Sequence, residues 1–246
     1  MESKKDSYFR YYRPFNVILG AYFERHVTGV ENIPQDEPVI VVANHVSFWD
    51  SPLLAAAYTQ ATNKPLRLVA QKEYFDGDGV RIKKDEYDED GRQISKERRI
   101  GGSAIKHFVE ATRMIPVDRN TTKDSLVAFN RTVGETLQFG DSVGIHGEGT
   151  RSRDGRMNNL RDGFARIAVD NHVSIVPAGV SYHDSDSWHP KAANIAFGEP
   201  LTYHDYNSGM FRLLPTGPKV KLMSEILTQR IAKLSQQERS HKKAII

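Results

Sequence analysis

The segment Val39-Ile40-Val41-Val42-Ala43 restricts the fold of this chain more than any other stretch. Such an apolar, largely β-branched run has no polar side to turn toward water. A strand built from it must be covered on both faces, as strands of helix-sandwiched parallel sheets are. Short apolar segments at 66–70, 114–117, 142–146 and 173–176 read as further strands. Between them, helical periodicity marks 53–61, 100–111, 125–139 (closed by Gly140) and 164–170. Strands alternating with helices predict an α/β fold, a single domain with a largely parallel, covered sheet.

Two terminal segments stand apart. Tyr8, Tyr11, Tyr12, Phe15, Ile18, Leu19 and Tyr22 recur at helical spacing, and Pro14 marks a helix start or a kink. This N-terminal amphipathic helix (1–27) precedes the main domain (28–246). Its tyrosines beside Arg10 and Arg13 suit a bilayer interface, and equally suit packing on the domain. A last helix over 219–237 carries Leu222, Met223, Ile226, Leu227, Ile231 and Leu234 on one stripe. From Arg212 onward eight Lys or Arg face only Glu225 and Glu238, a basic end that fits either an anionic membrane or solvent.

Residues 76–99 are mostly charged, and Val80 to Lys83 and Arg92 to Ser95 flank Asp90-Gly91, the pattern of a protruding hairpin. Glu86, Asp88, Asp90, Gly91 and Glu97 come near the spacing of a calcium loop, without its leading Asp. The segment also reads as a partner surface or an inert insertion.

Composition excludes several classes. With no cysteine, the chain has no disulfide, no thiolate metal site and no cysteine nucleophile. A net charge of +3 is too small to argue for nucleic acid, and no stacking aromatics accompany the basic end. No run approaches the roughly 20 apolar residues of a spanning helix, and the first residues lack the apolar core of a signal peptide.

The chemistry sits where strands end. His45 follows the buried run directly, at the strand C-terminus where open α/β sheets place their sites. Asp50 comes after four intervening residues, as a possible N-cap of the next helix, across a turn that can fold it back on the imidazole. A carboxylate on Nδ1 would fix the tautomer and leave Nε2 to take a proton from a hydroxyl. The second cluster, Gly147-Glu148-Gly149-Thr150-Arg151-Ser152-Arg153-Asp154-Gly155, again follows a strand. Its glycines permit close backbone approach, and Arg151 and Arg153 offer bidentate recognition of phosphate. Glu148 is placed to orient an arginine or meet a substrate hydroxyl. It is not a Walker loop, and no Gly-x-Ser-x-Gly elbow exists to make a serine hydrolase, although a His-activated water would give a thioesterase. His183, Asp184, Asp186 and His189 offer a metal-ligand alternative in a polar loop.

Together these elements resemble the glycerolipid acyltransferase family, the lysophosphatidic acid acyltransferases. Asn44-His45-Val46-Ser47-Phe48-Trp49-Asp50 is similar to its first motif, and Ile115-Pro116-Val117-Asp118-Arg119 to its second. Glu148-Gly149-Thr150-Arg151-Ser152 is similar to its third, and Val176-Pro177-Ala178-Gly179-Val180 to its fourth. The likeness covers roughly residues 28–200. It implies transfer of a fatty acyl chain from acyl-CoA or acyl carrier protein to a lysophospholipid hydroxyl, with no metal and no bound cofactor. It adds a carrier-protein contact to the readings of the charged segment 76–99. His45 is then the general base and Asp50 its orienting partner. Arg119, Glu148, Gly149, Thr150 and Arg151 shape the acceptor site, and Val176 and Pro177 lie at the acyl-chain pocket, a tunnel or groove with the dyad at its mouth. The implied setting is the cytoplasm, peripheral to the inner face of the membrane. One departure stands out: His146-Gly147 replaces the family's usual Phe-Pro, bringing an extra imidazole and a flexible residue, and leaving room for another lipid or sugar alcohol as acceptor.

Overall fold

The computed structural model describes residues 3–77, 80–87, 93–118, 122–152, 155–184, 187–189 and 191–239. In chain order, α1 (Ser3–Tyr22) leads into β1 (Phe23–Thr28), and the apolar run becomes β2 (Ile40–Ala43). The turn after β2 enters α2 (Asp50–Thr62), followed by β3 (Leu66–Gln71) and the hairpin β4 (Val80–Tyr87) and β5 (Gln93–Ile100). Next come α3 (Gly102–Ala111), β6 (Ile115–Val117), α4 (Lys123–Gln138), β7 (Ser142–His146) and α5 (Gly163–Asn171). The chain continues through β8 (Ile175–His183), β9 (Lys191–Phe197), two short helices α6 (Tyr203–Tyr206) and α7 (Gly209–Leu213), and α8 (Thr216–Leu234).

Seven strands form one sheet in the order β1-β9-β8-β2-β7-β3-β6, with every pair parallel except β8 and β9. The run that begins at Val39 explains the layering. Val41 and Ala43 point into a core shared with Tyr8, Tyr12 and Leu19 of α1 and Leu53, Leu54 and Tyr58 of α2. Ile40 and Val42 point the other way, into a core shared with α4, α5 and α8. Alternate side chains of one short strand thus anchor both helical layers, as its unbroken apolar character requires.

Several elements differ from the sequence reading. Pro14 neither starts nor ends α1, which runs through it from Ser3. The proline lies on the exposed side, where the carbonyl it leaves unbonded can reach water, while buried Tyr12 and Leu19 pin the helix on either side. Among that helix's aromatic residues Tyr8 and Tyr12 are buried and stacked, with centroids 4.9 Å apart, so this part of the stripe packs on the domain. Because β1 begins directly after α1 and pairs with β9, the boundary drawn at 27/28 falls within a strand of the sheet. Asp50 is the first helical residue of α2 and Trp49 its N-cap, so the carboxylate does not cap that helix.

The charged segment does pair as an antiparallel hairpin, and its strands extend further than the sequence suggests, with Ile100 in β5 rather than in α3. Its Asp90-Gly91 turn and Asp88 lie outside the described residues. Glu86 and Glu97 belong to the two paired strands, not to a loop that could wrap a calcium ion. Most of the apolar stripe of α8 packs on the domain, with Met223, Leu227 and Ile231 buried and Leu222 exposed. Strand β8 begins later than expected, at Ile175, and continues to His183. β1 and β9 have no counterpart in the sequence reading.

Candidate active site

The site is assembled where β2 and β7 end side by side, paired in register through Ala43 and His146. Beyond Ala43 the ladder continues through a side chain. Buried Asn44 accepts from the Val180 N–H (2.8 Å) and donates to the Val180 carbonyl (2.9 Å), imitating a backbone pair with β8. Its amide also donates to Gln237 beyond α8 (2.6 Å). His45 therefore leaves the sheet from a fixed point.

The turn then folds Asp50 back under His45. Asp50 Oδ2 lies 2.9 Å from His45 Nδ1 and accepts from the N–H groups of Val46 (2.6 Å) and Ser47 (2.7 Å). Its Oδ1 accepts from the Tyr182 hydroxyl at 2.7 Å. The carboxylate side chain is fully buried. Burial alone would raise its pKa, but the hydrogen bonds from His45, Ser47 and Tyr182 and the nearby His146 outweigh it, and Asp50 is held below its ordinary value. An ionised Asp50 only accepts, so Nδ1 of His45 carries the proton and Nε2 keeps its lone pair. The pair that the sequence singles out is brought together in the geometry a general base needs. Burial and the negative charge of Asp50 push the Tyr182 phenol far up, so it remains a donor.

The second cluster supports His45 from the opposite strand. Glu148 Oε1 accepts from the His45 N–H (2.7 Å), and Oε2 accepts from Asn158 through its backbone (2.9 Å) and side chain (3.0 Å). Burial raises the Glu148 pKa against these bonds. Its carboxylate thus holds the backbone of His45. The Ser152 N–H donates to the His45 carbonyl at 2.7 Å, and Arg151, its neighbour in the chain, is exposed. Gly149 has φ +71°, and a Cβ there would come within 2.8 Å of Arg161 Nε, so the Arg161 side chain lies over this glycine. Thr150 is exposed beside it. Arg119 and Arg153 lie outside the described residues. Gly147 is no hinge: a Cβ would stand 2.7 Å from Leu160 and 3.0 Å from Val42, so glycine here permits close packing.

Val176 and Pro177 sit in mid-strand, opposite Val41 and Val42, with Val176 sealed in the core against α1 and α2. A groove of about 690 Å³ opens instead near the end of β8, lined by Val46 and Tyr182 with His26, His183, Asn194 and Gln237. Its walls carry imidazoles and amides where an acyl-chain tunnel calls for apolar side chains.

His45, Asp50 and His146 bring potential ligand atoms within 4.8 Å of one another. Both Asp50 oxygens, both nitrogens of His146 and Nδ1 of His45 already have hydrogen-bond partners, so the donor set fits a hydrogen-bonded network better than a metal cage. In the other suggested metal loop, His189 bonds Ser187 (2.8 Å) and the Gly20 carbonyl (3.0 Å), His183 faces Asn194, and Asp186 lies outside the described residues. The sequence reading gave no role to Asn44, Ser51, Tyr182, Asn158 or Arg161. Only Asn44, inside a motif, carried any signal.

A family model described as Acyltransferase matches residues 24–88 and 82–181. The chain is 26% identical over 163 residues to a chloroplastic 1-acyl-sn-glycerol-3-phosphate acyltransferase of Arabidopsis thaliana, covering 66% of this chain and 37% of that protein. A 1-acyl-sn-glycerol-3-phosphate acyltransferase of Borreliella burgdorferi is 26% identical over 210 residues, covering 85% and 70%. The chain thus spans less than two fifths of the chloroplastic relative. The crystal structure of PlsC, the 1-acyl-sn-glycerophosphate acyltransferase of Thermotoga maritima, superposes with a TM-score of 0.56 at 20% identity, over 96% of this chain and 81% of that one, and shares the fold.

Proposed function

The chain belongs to the acyltransferase family, and from that premise we propose that it transfers a fatty acyl chain from a thioester carrier to the free hydroxyl of 1-acylglycerol-3-phosphate, giving phosphatidic acid. The observation that carries this reading is His45 Nδ1 bonded to buried Asp50 at 2.9 Å, with exposed Arg151 next in the chain to Ser152, whose N–H bonds the His45 carbonyl.

In the proposed reaction Nε2 of His45 takes the proton of the acceptor hydroxyl as its oxygen attacks the thioester carbonyl. The imidazolium so formed is stabilised by ionised Asp50. The tetrahedral intermediate collapses, the C–S bond breaks, and the departing sulfur receives the proton from His45. No residue of the chain is acylated, and no metal or bound cofactor enters. Arg151, with Arg161, holds the acceptor phosphate beside the backbone of Gly149 and Thr150. The donor is acyl-CoA or acyl carrier protein. The amides and imidazoles lining the groove beside Val46 suit the amide-bearing arm common to both carriers. The names of the relatives from Arabidopsis thaliana and Borreliella burgdorferi support the acceptor.

No helix among the described residues is long and apolar enough to cross a membrane. We read the approach to lipid as peripheral. Val17 (73% exposed), Ile18, Tyr22, Phe48 and Trp188 all present apolar surface to solvent. Tyr22, Phe48 and Trp188 belong to one neighbourhood, since Tyr22 and Phe48 both contact Trp49, and His189, stacked on Trp188, bonds the Gly20 carbonyl; Val17 and Ile18 precede Tyr22 on α1. That patch adjoins the catalytic turn and supports docking on a lipid surface.

The deciding experiment incubates the protein with 1-acylglycerol-3-phosphate and radiolabelled acyl-CoA, then acyl carrier protein, beside a His45→Ala control. Labelled phosphatidic acid that disappears in the control is the expected result. Full transfer by His45→Ala would refute the base, and phosphate-independent acylation would refute the acceptor.

A further inference from the structure

His146 ends β7 beneath the catalytic turn, and the reaction scheme leaves it without a task. Its Nδ1 lies 2.7 Å from the Asn44 carbonyl, which can only accept, so that nitrogen carries the proton. Its Nε2 is then an acceptor, and the Ser51 hydroxyl, 2.8 Å away, donates to it. Asn44 and Ser51 are the residues that immediately flank the His45-to-Asp50 turn on its two sides. One imidazole therefore ties the end of β2 to the start of α2 and fixes the span of the turn between them. The same ring lies face to face with His45, with centroids 4.2 Å apart and planes 14° from parallel.

With the ring neutral, this arrangement fixes one tautomer, protonated on Nδ1. A protonated His146 would have to reverse its bond to Ser51, donating to the hydroxyl oxygen, and it would set a cation against the ring that must itself gain a proton. Burial and the neighbouring His45 lower its pKa to about 4, so the neutral form prevails at neutral pH.

We propose that His146 is a positioning residue for acyl transfer: it staples Asn44 to Ser51 across the catalytic turn and stacks on His45, holding Nε2 at the reacting hydroxyl. The inference rests on the reading of His45 as the base. It assigns His146 no contact with substrate, so its loss should appear in kcat and not in KM.

The test uses the full chain and the donor–acceptor pair that the native protein turns over. His146→Phe keeps a flat ring for stacking and removes both hydrogen bonds. Ser51→Ala leaves the ring and removes one. Displacing a base by even 1 Å costs on the order of 100-fold, and the expected loss in kcat is of that order for His146→Phe and about 10-fold for Ser51→Ala, with both KM values unchanged. Near-UV circular dichroism establishes that the variants are folded, and if His146→Phe is not, Ser51→Ala decides. Native kcat in a folded variant, or a change confined to KM, would overturn the staple. His45→Ala run alongside separates the two readings: activity there removes the base itself, whereas an inactive His45→Ala beside a native-like Ser51→Ala removes the staple alone.

Discussion

Replacing His146 with phenylalanine should flatten the pH dependence of stability between neutral and mildly acidic solution. In the folded chain the imidazole is held down to about 4 by burial and by His45, whereas in the unfolded chain it titrates near 6.5. The unfolded state therefore binds this proton first as the pH falls. Stability from the neutral ring is complete above about 6.5, drains as the pH drops toward 4, and stops draining below that. The full gap corresponds to roughly 3 kcal/mol, of which about 2 kcal/mol is lost between pH 7 and pH 5. The charged and titratable groups against the ring are His45 and Asp50, and both remain in the variant. Asp50, held below its ordinary value, keeps its contribution throughout this window and loses it only at lower pH. Urea unfolding of native protein and His146→Phe at pH 7, 6 and 5 gives the two profiles. The native protein should lose about 2 kcal/mol more than the variant across that range. Parallel profiles would mean that the ring is not kept neutral by the fold, and the tautomer argument for its two hydrogen bonds would fall.

Tyr182→Phe removes the donor to Asp50 Oδ1 while leaving the three partners of Oδ2; kcat should fall several-fold and stability by about 1–2 kcal/mol, the range for a hydrogen bond to a charged group, and a variant native in both assays would deny Tyr182 any hold on Asp50. Gly179→Ala puts a methyl 2.5 Å from the backbone of Leu234 and Ser235 where α8 ends on β8, which should cost at least about 2 kcal/mol. Gly163→Ala, with nothing within 4 Å of its Cβ position, should be neutral or slightly stabilising by thermal unfolding. Val17→Glu combined with Ile18→Glu alters two exposed side chains; cosedimentation with phosphatidylglycerol vesicles should drop several-fold at an unchanged unfolding midpoint, and undiminished sedimentation would disprove docking through this patch.

The parts of the fold legible in the sequence are those whose cause is local. Val39 to Ala43 permits nothing but a doubly covered strand, and β7 has the bounds that its apolar pattern indicates. β1 and β9 were invisible for a physical reason. Phe23–Thr28 is an edge strand with only Phe23 buried, and Lys191–Phe197 is rich in alanine, so neither shows a β-branched run or a clean alternation. Both exist because β8 extends to His183 and offers β9 an antiparallel edge, a fact of tertiary structure. Pro14 does not start the helix for a related reason: a helix anchored by Tyr12 and Leu19 continues through a proline inside it.

The site divides along the same line. His45 and Asp50 are separated by four residues, close enough for spacing alone to suggest their pairing. What turns that spacing into a working geometry comes from far along the chain. Tyr182 reaches Asp50 across 132 positions, Glu148 reaches the His45 backbone across 103, and His146 reaches Asn44 across 102. None of these contacts leaves a local pattern. Gly147 shows how far a local reading can mislead: a glycine beside a motif suggests mobility, yet Leu160 and Val42 close over it. The imidazole before it looked like a departure that leaves room for another acceptor. In the fold it bonds the residues on either side of the His45–Asp50 turn, so its place follows from the ends of two strands lying side by side.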